Sequence, residues 1–553
     1  MQEMINIRVS GGDEIKADYG IRLYEIARAY PELLSFPILV ARVNNELLEL
    51  NARLIRDCEA EFLDITSRAG FLVYQRTASF VMICAARDAL GGTARVVIRH
   101  SINNNYVCEL LTAEGDQIRV TAALLARIES RMREIVDDDI VIDKLSMTLD
   151  EGVRLCEEMG AWDRVDMLKY RRTSGVNFYR LNGYYDYFYG PMARSTGAVT
   201  VFGLSRTPAG GLLLRFPMAS DPSEPSEPAV ATKVAVVFRE AKRWGDILSA
   251  GSVGALNDII CAGRAGEFIQ TNEALHEKRV AQIADMIVSR GRRLALVSGP
   301  SSSGKTTFAK RLAIQLRVSG YHAHIISLDD YFVSRETLPV DEFGEPDYES
   351  PDAIEMDRVN ADIRALLAGD TVEVPEFDFT TGMRSPKALP FAMGKNDVLI
   401  VEGLHALNDR LAVGISDNDK FKIFISVFTQ LNIDDHNRIA TTDARLIRRI
   451  VRDHQSRNFG ALTTIRIWPS VGRGEQKHVF PYEEGADAIF NSALVYELCA
   501  LKQYAEPLLF GISPKVPEYM EAKRLIKFLD SFLNVPSSEV PANSILREFI
   551  GPR

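Results

Sequence analysis

The sequence predicts a multidomain α/β protein whose carboxyl-terminal part is built around a doubly wound parallel sheet. At 553 residues the chain is about three to four times as long as a typical domain, so several hydrophobic cores are expected. Near residue 294 an apolar strand pattern runs into a glycine-rich turn and an amphipathic helix, and strand and helix patterns alternate after it. The front of the chain mixes short strands and helices, which predicts α+β modules there.

The composition is that of a folded globular protein, with 46% hydrophobic and 25% charged residues. The 65 Lys and Arg against 75 Asp and Glu give a net charge of −10, which weakens non-specific attraction to nucleic acid or anionic membranes. The six Cys are far apart and form no C-x-x-C pair, which disfavours a disulfide framework and a thiolate zinc site. The start lacks the features of a secretion signal, and no apolar run is long enough to span a membrane. We expect a cytoplasmic protein without a membrane partner.

The first 66 residues show the pattern of a small α+β module. INIRV alternates as a strand does, Gly11-Gly12 is a hairpin signal, and LYEIARAY has a helical period. Together with the phrase ILVARVNNELLELNARL, this pattern resembles the TGS domain, a β-grasp module at the front of threonyl-tRNA synthetases. The resemblance implies a β-grasp fold for residues 1–66.

Residues 67–217 resemble the α+β editing domain of threonyl-tRNA synthetase, through the segments ARVVIRHSINNNYVCEL and GYYDYFYGPMARSTGAVTVFGLSR. In that family the domain carries a set of His and Cys residues. The corresponding positions here are Thr77, Val81, Phe188 and Met192, and these side chains cannot replace imidazole and thiolate in binding metal or activating water. We therefore expect a degenerate editing-like domain, retained as a scaffold or a binding surface.

The segment 218–233, MASDPSEPSEPAVATK, has the composition of a linker or of an insertion whose flanking strands pair. The following KVAVVF predicts a strand, and the sequence up to Gly291 predicts helices that couple the two halves. We place the linker and coupling helices at 218–275 and the last domain at 276–553.

A phosphate-binding motif, G-x-x-x-x-G-K-[ST], follows the strand LALVS and opens an amphipathic helix. Its glycines permit a turn whose N–H groups face phosphate oxygens, and the helix adds its positive end. Lys305 is expected to reach the β- and γ-phosphates and Thr306 to ligate Mg²⁺, while Thr307 caps or packs within the first turn. The predicted nucleotide-binding residues are Gly299, Ser301, Ser302, Ser303, Gly304, Lys305, Thr306 and Thr307.

Carboxylates end the next two apolar strands, Asp329-Asp330 after HAHIIS and Glu402 at the end of DVLIVE. An Asp within reach of an acceptor hydroxyl and a metal can take the proton or orient the hydroxyl, and Glu402 could hold a magnesium-bound water. The alternatives are a helix cap or solvated turn for the Asp pair and a salt bridge for Glu402. We predict Lys305, Asp329 and Glu402 as catalytic and Thr306, Asp329 and Glu402 as metal ligands.

An arginine-rich helix is predicted in DARLIRRIVRDHQSR. Arg445, Arg448, Arg449 and Arg452 are spaced at three and four, so most of them share one helical face, and Arg457 follows. Such a run opposite a phosphate-binding loop predicts a lid that covers the triphosphate, with Arg448, Arg449 and Arg452 as nucleotide contacts. The alternatives are a solvated basic face and an RNA-contacting patch.

Six phrases in a fixed order resemble the uridine–cytidine kinase and phosphoribulokinase family over about residues 290–500: GPSSSGKTT, SLDDYF, DYESPDAIE, VPEFDF, VLIVEGLHAL and DARLIRRIVRD. The resemblance implies a P-loop kinase that uses ATP and Mg²⁺, with Asp329 as its catalytic carboxylate. It implies substrate contacts at Asp330, Tyr331, Glu349, Phe377, Phe379, Arg384 and Arg457.

Three departures from the family pattern concern the acceptor. A family Asp is Glu349 here, a base-contacting His is Gly382, and the R-G-R phrase of the lid begins at Arg457 but continues as Asn-Phe. The expected reaction is phosphoryl transfer to the 5′-hydroxyl of a nucleoside, most of all uridine or cytidine. The alternatives are a sugar or phosphosugar acceptor, and a nucleotide switch that contacts RNA or the ribosome through the front half.

The order of the parts resembles bacterial uridine kinase-like proteins with a synthetase-derived front. The sequence leaves open the base and sugar selectivity, the role of the front half, a homo-oligomeric state and the domain arrangement. The segment SILREFI near the end of the chain predicts a docked terminus.

Overall fold

A computed structural model describes residues 4–92, 94–218, 221–228, 232–340, 344, 347–378, 383–384, 389–429 and 431–551. The first module is a five-stranded mixed sheet in the order β2-β1-β5-β3-β4, in which β1 and β5 are parallel. Its elements are β1 (Met4–Val9), β2 (Glu14–Asp18), α1 (Leu23–Ala27), β3 (Val40–Val43), β4 (Glu46–Glu49) and β5 (Cys58–Leu63). One small core of alternating strand residues fills it, as the sequence pattern predicts.

The second module contains two antiparallel sheets, in the orders β11-β10-β9 and β12-β13-β7-β6, with β8 on β7. Its elements are α2 (Arg68–Ala89), β6 (Arg95–Ile102), β7 (Asn105–Leu111), β8 (Gln117–Ile118), α3 (Ala122–Asp137), β9 (Asp143–Thr148), α4 (Leu149–Glu158), α5 (Trp162–Leu168), β10 (Gly175–Leu181), β11 (Tyr184–Tyr187), β12 (Gly203–Arg206) and β13 (Leu212–Arg215). Helix α2 is apolar and long enough to pass as a membrane span, but 78% of that stretch is buried inside the protein, where it forms the core of this module.

The segment predicted as a linker begins with a short hairpin, β14 (Pro217–Met218) and β15 (Asp221–Pro225). Three helices follow: α6 (Thr232–Leu248), α7 (Val253–Cys261) and α8 (Ala265–Ser289). The strand prediction for KVAVVF is therefore wrong. Val234, Val237, Phe238 and Ala241 are all buried, and this helical spacing packs one face of α6 despite its β-branched residues.

The carboxyl-terminal part is a doubly wound domain, which confirms the predicted fold class. Its central sheet has five described strands, all parallel, in the order β17-β22-β16-β23-β24. The elements in chain order are β16 (Leu294–Ser298), α9 (Lys305–Val318), β17 (His322–Ser327), α10 (Met356–Ala368), β18 (Val372–Val374), β19 (Phe377–Asp378), β20 (Met383–Arg384), β21 (Leu389–Phe391), β22 (Asp397–Glu402), β23 (Lys420–Ser426), α11 (Thr441–Arg457), α12 (Ala461–His478), β24 (Ala488–Asn491), α13 (Glu497–Phe510), α14 (Tyr519–Leu529) and α15 (Arg547–Ile550).

The two halves share a continuous core. Phe178 of the second module, Leu256 of α7 and Ile283 of α8 belong to the same buried cluster as the central sheet. A loop of the carboxyl-terminal domain, residues 431–438, also reaches the edge strand β6, where the Ile98 N–H donates to the Asp435 carbonyl over 2.8 Å. The front half is thus packed against the domain that carries the phosphate-binding loop.

A buried charge network fixes this junction. The Arg164 guanidinium lies 2.7 Å from the Asp186 carboxylate, and His436 contacts the same carboxylate over 2.6 Å. Asp434 is 1% exposed, and burial raises its pKa to about 6, although the Arg164 charge opposes that shift. The Arg164 charge therefore stabilises two buried carboxylates, Asp186 by direct contact and Asp434 through its electrostatic field.

Replacing Arg164 with Met should destabilise the folded chain by about 3–5 kcal/mol, because Asp186 and Asp434 would remain buried without their cation. We expect the midpoint of thermal unfolding to fall by several degrees. Arg180→Met is the matched control, because both partners of its ion pair with Asp143 are 46% exposed, and it should change the midpoint little. Equal midpoints for the two variants would contradict this account of the junction.

Candidate functional site

The site lies at the carboxyl edge of the parallel sheet. The strands β16, β17 and β22 are neighbours that end at Ser298, Ser327 and Glu402, so the segments that follow them meet at one edge. These segments contain the phosphate-binding loop, residues 299–306, and the Asp329-Asp330 pair. The topology therefore brings together the loop and the predicted carboxylates.

Backbone conformation explains the glycines of the loop. Gly299 has φ +156°, and a Cβ there would lie 2.1 Å from the Ile425 carbonyl oxygen. Gly304 has φ +89°, and a Cβ there would lie 2.6 Å from Ile545. Both positions combine a positive φ with close approach, so any side chain would displace the loop.

The loop presents unpartnered donors on one side. Within the described parts of the chain, no residue accepts a hydrogen bond from the backbone N–H of Gly304, Lys305 or Thr306 at the start of α9. The hydroxyl groups of Ser302 and Ser303 are also buried without a described partner. Orphan donors at the positive end of a helix form a site for an anion such as phosphate.

Lys305 contacts the start of the loop through two backbone carbonyls. Its ammonium group donates to the carbonyl oxygens of Gly299 and Pro300, over 2.9 and 3.2 Å. The side chain is only partly buried, and among the described residues its ammonium group has carbonyl partners and no carboxylate within ion-pair distance. A phosphate at the loop would offer this cation a charged partner in place of two neutral ones.

Three oxygen-bearing side chains meet where the metal was predicted. Glu402 is 4% exposed and accepts hydrogen bonds from the hydroxyls of Thr306 (2.9 Å) and Ser327 (3.1 Å). Burial raises the pKa of Glu402 to about 7, and the nearby Asp329 charge adds to the shift. A cation here would offset the repulsion between the negative charges of Glu402 and Asp329. Hard oxygen donors of this kind suit Mg²⁺, so the residues present fit the implied metal.

Helix α11 lies behind the loop, which corrects the lid prediction for part of its arginines. Arg448 is fully buried, and its guanidinium donates to the Glu497 carboxylate, to Ser492 and, over 3.3 Å, to the Ser302 carbonyl. Arg445 is also buried; it pairs with Glu475 and donates to the Ser301 carbonyl over 3.1 Å. Each guanidinium thus donates one hydrogen bond to a loop carbonyl and pairs with a buried carboxylate, so neither side chain forms a lid over a nucleotide.

The remaining arginines of α11 lie nearer the open side. Arg449 donates to the Ser301 hydroxyl over 2.8 Å and lies 4.0 Å from the Glu349 carboxylate. Arg452 pairs with Asp453. The Arg452 charge and burial lower the pKa of Arg457 to about 10, and the Asp329 charge opposes that shift. This cluster is therefore the part of the helix that can face a charged substrate.

Sequence reasoning missed two carboxylates that contact the loop and the first turn of α9. Glu475 of α12 accepts from the Ser301 N–H over 2.7 Å, and Glu548 of α15 accepts from both the N–H (3.1 Å) and the hydroxyl (2.9 Å) of Thr307. Only the folded structure shows that they contact the loop region, because both lie far from it along the chain. The structure confirms the docked terminus, in which Ile545, Leu546 and Phe549 are buried.

Glu349 lies beside the loop, between α12 and Arg449. Gly474 makes room for it, since a Cβ at that position would lie 2.3 Å from the Glu349 Cβ. Burial and the neighbouring Glu475 raise the pKa of Glu349 to about 7. The structure thus brings this predicted substrate residue to the same edge as Lys305 and Asp329, whose charges both act on it.

Two predicted substrate residues instead support the scaffold. Tyr331 is fully buried and donates its hydroxyl to Asp362 over 2.9 Å, so the prediction that it contacts substrate is corrected. Asp330 accepts from the Phe377 N–H over 3.2 Å, and burial raises its pKa. This bond ties the strand that carries Phe377 to the Asp pair.

Phe377 is half-buried, with its ring 6.0 Å from that of Phe332. Phe379 and Gly382 lie outside the described residues. The backbone of Arg384 pairs with that of Phe377 in the short β19–β20 hairpin. Among the predicted substrate residues, Glu349, Phe377 and Arg457 therefore lie near the Asp329-Asp330 pair.

In the second module the four altered positions lie in the core. Thr77 and Val81 are fully buried, and Phe188 and Met192 are 3% and 1% exposed. The Thr77 hydroxyl donates to the Val73 carbonyl and accepts from the Ala193 N–H, so its hydrogen-bonding capacity is used inside the module. The side chains at these positions therefore fill space in the core of the module.

Comparison with known proteins divides the chain in the same way. Residues 295–497 match the phosphoribulokinase / uridine kinase family. A uridine kinase of Macrococcus caseolyticus is 30% identical over 194 residues, which cover 35% of this chain and 84% of that protein. A uridine kinase of Halobacterium salinarum is 31% identical over 157 residues, which cover 28% of this chain and 60% of that protein.

The front half has a different relative. A threonine–tRNA ligase of Clostridium kluyveri is 27% identical over 195 residues, 35% of this chain. The chain spans only 30% of the length of that ligase. The predicted resemblance of the amino-terminal region to threonyl-tRNA synthetase is therefore confirmed.

Lys305→Ala should abolish ATP turnover and leave the fold intact, because its ammonium group acts on phosphate charge and not on a core. The measurement is ADP release by the purified variant, with thermal unfolding as the check of folding. Lys310→Ala on the exposed side of the same helix is the matched control and should turn over ATP as the unaltered chain does. Comparable turnover in Lys305→Ala would refute the assignment of the loop.

Glu548→Gln should tighten the binding of a non-hydrolysable ATP analogue about fivefold, because it removes a negative charge held at the loop helix while keeping an acceptor for Thr307. The dissociation constant can be measured by calorimetry. Glu539→Gln changes an exposed carboxylate of the same terminal segment and should leave that constant unchanged. Weaker binding in Glu548→Gln would show that the contact supports the nucleotide site and does not compete with the phosphates.

Proposed function

The chain belongs to the phosphoribulokinase / uridine kinase family, and on this premise we propose that its carboxyl-terminal half transfers the γ-phosphoryl group of ATP to the 5′-hydroxyl of a nucleoside. Uridine or cytidine is the proposed acceptor. The front half is proposed to be a non-catalytic module that is packed against the kinase domain.

One observation carries the proposal: a phosphate-binding loop, a lysine and two carboxylates lie at one edge of a parallel sheet. The loop supplies N–H donors and Lys305, while Glu402 and Asp329 end the two neighbouring strands. A bare phosphate-binding site would need only the donors and the lysine. The two carboxylates beside them support a reaction in which a hydroxyl group loses a proton.

Each residue has a distinct task in this reaction. The loop N–H groups and Lys305 bind the phosphate oxygens, and Thr306 with Glu402 would hold Mg²⁺. When bound, Mg²⁺ neutralises charge on the β- and γ-phosphates. Asp329 orients the acceptor hydroxyl and takes its proton as the hydroxyl oxygen bonds to the γ-phosphorus. The bond from that phosphorus to the bridging oxygen breaks, and ADP leaves.

The acceptor pocket supports a nucleoside with weak selectivity for the base. Glu349 provides a carboxylate for the ribose hydroxyls, and Phe377 an aromatic face for the base. A site that hydrogen-bonds one base rejects others because its own polar groups would remain unpaired. Gly382 offers no such side chain, so we propose looser discrimination among bases than a histidine would give.

In the front half, the buried positions Thr77, Val81, Phe188 and Met192 support a module without aminoacyl-tRNA hydrolysis. Neither an imidazole nor a thiolate stands at these four positions to bind metal or activate water.

A panel of nucleosides and sugars, incubated with ATP and Mg²⁺ and analysed by product mass, tests the proposal. We expect a nucleoside 5′-monophosphate and ADP in equal amounts, with uridine or cytidine as the best acceptors and other nucleosides as weaker ones. A phosphorylated sugar in place of a nucleotide would show that the acceptor is a sugar and not a nucleoside. ATP binding without any phosphorylated product would contradict the kinase assignment and favour a nucleotide switch.

Asp329→Asn should lower the rate about a hundredfold or more while ATP binding persists, because it removes a general base and keeps the shape of the side chain. Single-turnover rates and calorimetric ATP binding would be measured. Asp330→Asn is the matched control, since its amide oxygen can still accept from the Phe377 N–H. A larger loss in Asp330→Asn would assign the proton transfer to the second carboxylate of the pair.

A further inference from the structure

A cleft with no part in the proposed reaction lies between the front half and the kinase domain. It consists of two adjoining cavities of about 460 and 220 Å³, which share the side chains of Arg68, Leu72, Arg76 and Tyr189. Its walls come from α2, the loop after β11, α11, α12 and α14. Lys305, Asp329, Glu349 and Glu402 line neither cavity.

The larger cavity has an excess of positive charge in an otherwise acidic protein. Six cationic side chains line it against three carboxylates. Each carboxylate already has a partner: Glu46 pairs with Lys523, Glu518 with Arg466, and Glu521 with Arg524, all over 2.7 Å. Arg68 lies 3.4 Å from both Glu521 and Asp443. In the described parts of the chain, the two lining cations without a carboxylate partner are Arg76 and Lys527.

Arg76 is held in place and keeps part of its guanidinium available. Its Nε donates to the Pro191 carbonyl over 2.9 Å, and no described residue accepts from its two terminal nitrogens. Gly190 lets the side chain pass, because a Cβ there would lie 2.4 Å from the guanidinium carbon. A rigidly held guanidinium with free donors is suited to binding an anionic oxygen pair.

Lys527 stands on the accessible side of the same cavity. Burial of its ammonium group and the charges of Arg171, Lys144 and Arg76 lower its pKa to about 8. An anion placed here would relieve the repulsion between Lys527 and Arg76.

The rest of the wall is apolar. Leu72, Leu446, Ile465, Trp468 and Met520 line the larger cavity, and Trp468 is 4% exposed. A volume of about 460 Å³ lies within the range of small-molecule sites, which combine an apolar wall with a few polar groups.

The cleft is separate from the altered positions of the synthetase-like module. Thr77, Val81 and Met192 line neither cavity, and Phe188 reaches only the smaller one. Arg68, Leu72 and Arg76 recur every four residues on α2, so a different face of that helix forms the cleft. The site therefore depends on the junction of the two halves and exists in neither half alone.

We propose that this interdomain cleft binds a small organic anion with an apolar ring system, whose anionic group is held by Arg76 and Lys527. The ring system packs on the aliphatic side chains of the wall. The two cations supply the attraction that the paired side chains cannot, and the apolar wall excludes inorganic anions as the preferred ligands.

Calorimetric titration of the full chain with 8-anilinonaphthalene-1-sulfonate, an anion with flat apolar rings, tests the proposal. We expect one saturable site per chain. Arg76→Gln and Lys527→Gln should each weaken binding about tenfold, since each removes a charge-assisted contact. Lys523→Gln is the matched control on the same helix and cavity, because Glu46 already neutralises Lys523, and it should change affinity by less than about twofold.

Lys305→Ala should bind the probe as the unaltered chain does, whether or not the kinase assignment holds. Loss of probe binding in that variant would place the probe in the nucleotide site and overturn the proposal. Non-saturable binding would overturn it too, as would equal effects of Lys527→Gln and Lys523→Gln. Lys527 lies on the accessible side of the cavity and outside the hydrophobic core, so its variant should fold even if Arg76→Gln does not.

Discussion

Two buried ion pairs on one helix hold the phosphate-binding loop in its shape. Arg445 pairs with Glu475 and Arg448 with Glu497, and each guanidinium also donates to a loop carbonyl, of Ser301 or Ser302. Because a buried charge is stable only when paired, these side chains cannot turn away from the loop at low cost. The carbonyl groups of Ser301 and Ser302 thus face the arginines. The N–H groups of Gly304, Lys305 and Thr306, which have no acceptor among the described residues, are left to face a phosphate. The same helix joins the two halves through Asp443 at its start, which pairs with Arg524 and contacts Arg68 of α2.

Two carboxylates lie at the sheet edge, beside the loop that these arginines hold. Glu402 and Glu349 both have a pKa raised to about 7, mainly by burial, and the Asp329 charge contributes to each shift. Crowded carboxylates of this kind are costly in a resting protein and mark functional sites. A cation and a bound hydroxyl group would reduce the repulsion between these carboxylates. Their arrangement therefore suits a site for phosphoryl transfer. Trp468 packs against Arg445, with the guanidinium carbon 5.2 Å from its ring centre. A ligand in the interdomain cleft would therefore lie one side chain away from the loop.

The succession of strands along the chain, the phosphate-binding loop and the carboxylates at the strand ends could be predicted, because each of them depends on a pattern of neighbouring residues. LALVS, the glycine spacing and the terminal positions of Asp329 and Glu402 are all visible within a few residues. The contacts of Glu475 and Glu548 could not, since they link segments more than 170 residues apart. The burial of Tyr331 and the helical form of KVAVVF were missed for the same reason: tertiary packing chose the buried face, against the local motif or propensity. The arginine helix was placed correctly in sequence, but only the fold shows which arginines face inward.

A crystal structure of the full chain with a non-hydrolysable ATP analogue and Mg²⁺ would test whether the loop and Lys305 bind the triphosphate. We expect the triphosphate to lie against the loop N–H groups, with the Lys305 ammonium moved from the carbonyls of Gly299 and Pro300 to the phosphates. Thr306 would contact the metal ion, and Arg445 and Arg448 would keep their carboxylate partners. A triphosphate bound elsewhere, or Lys305 still on the two carbonyls with the analogue present, would contradict the account.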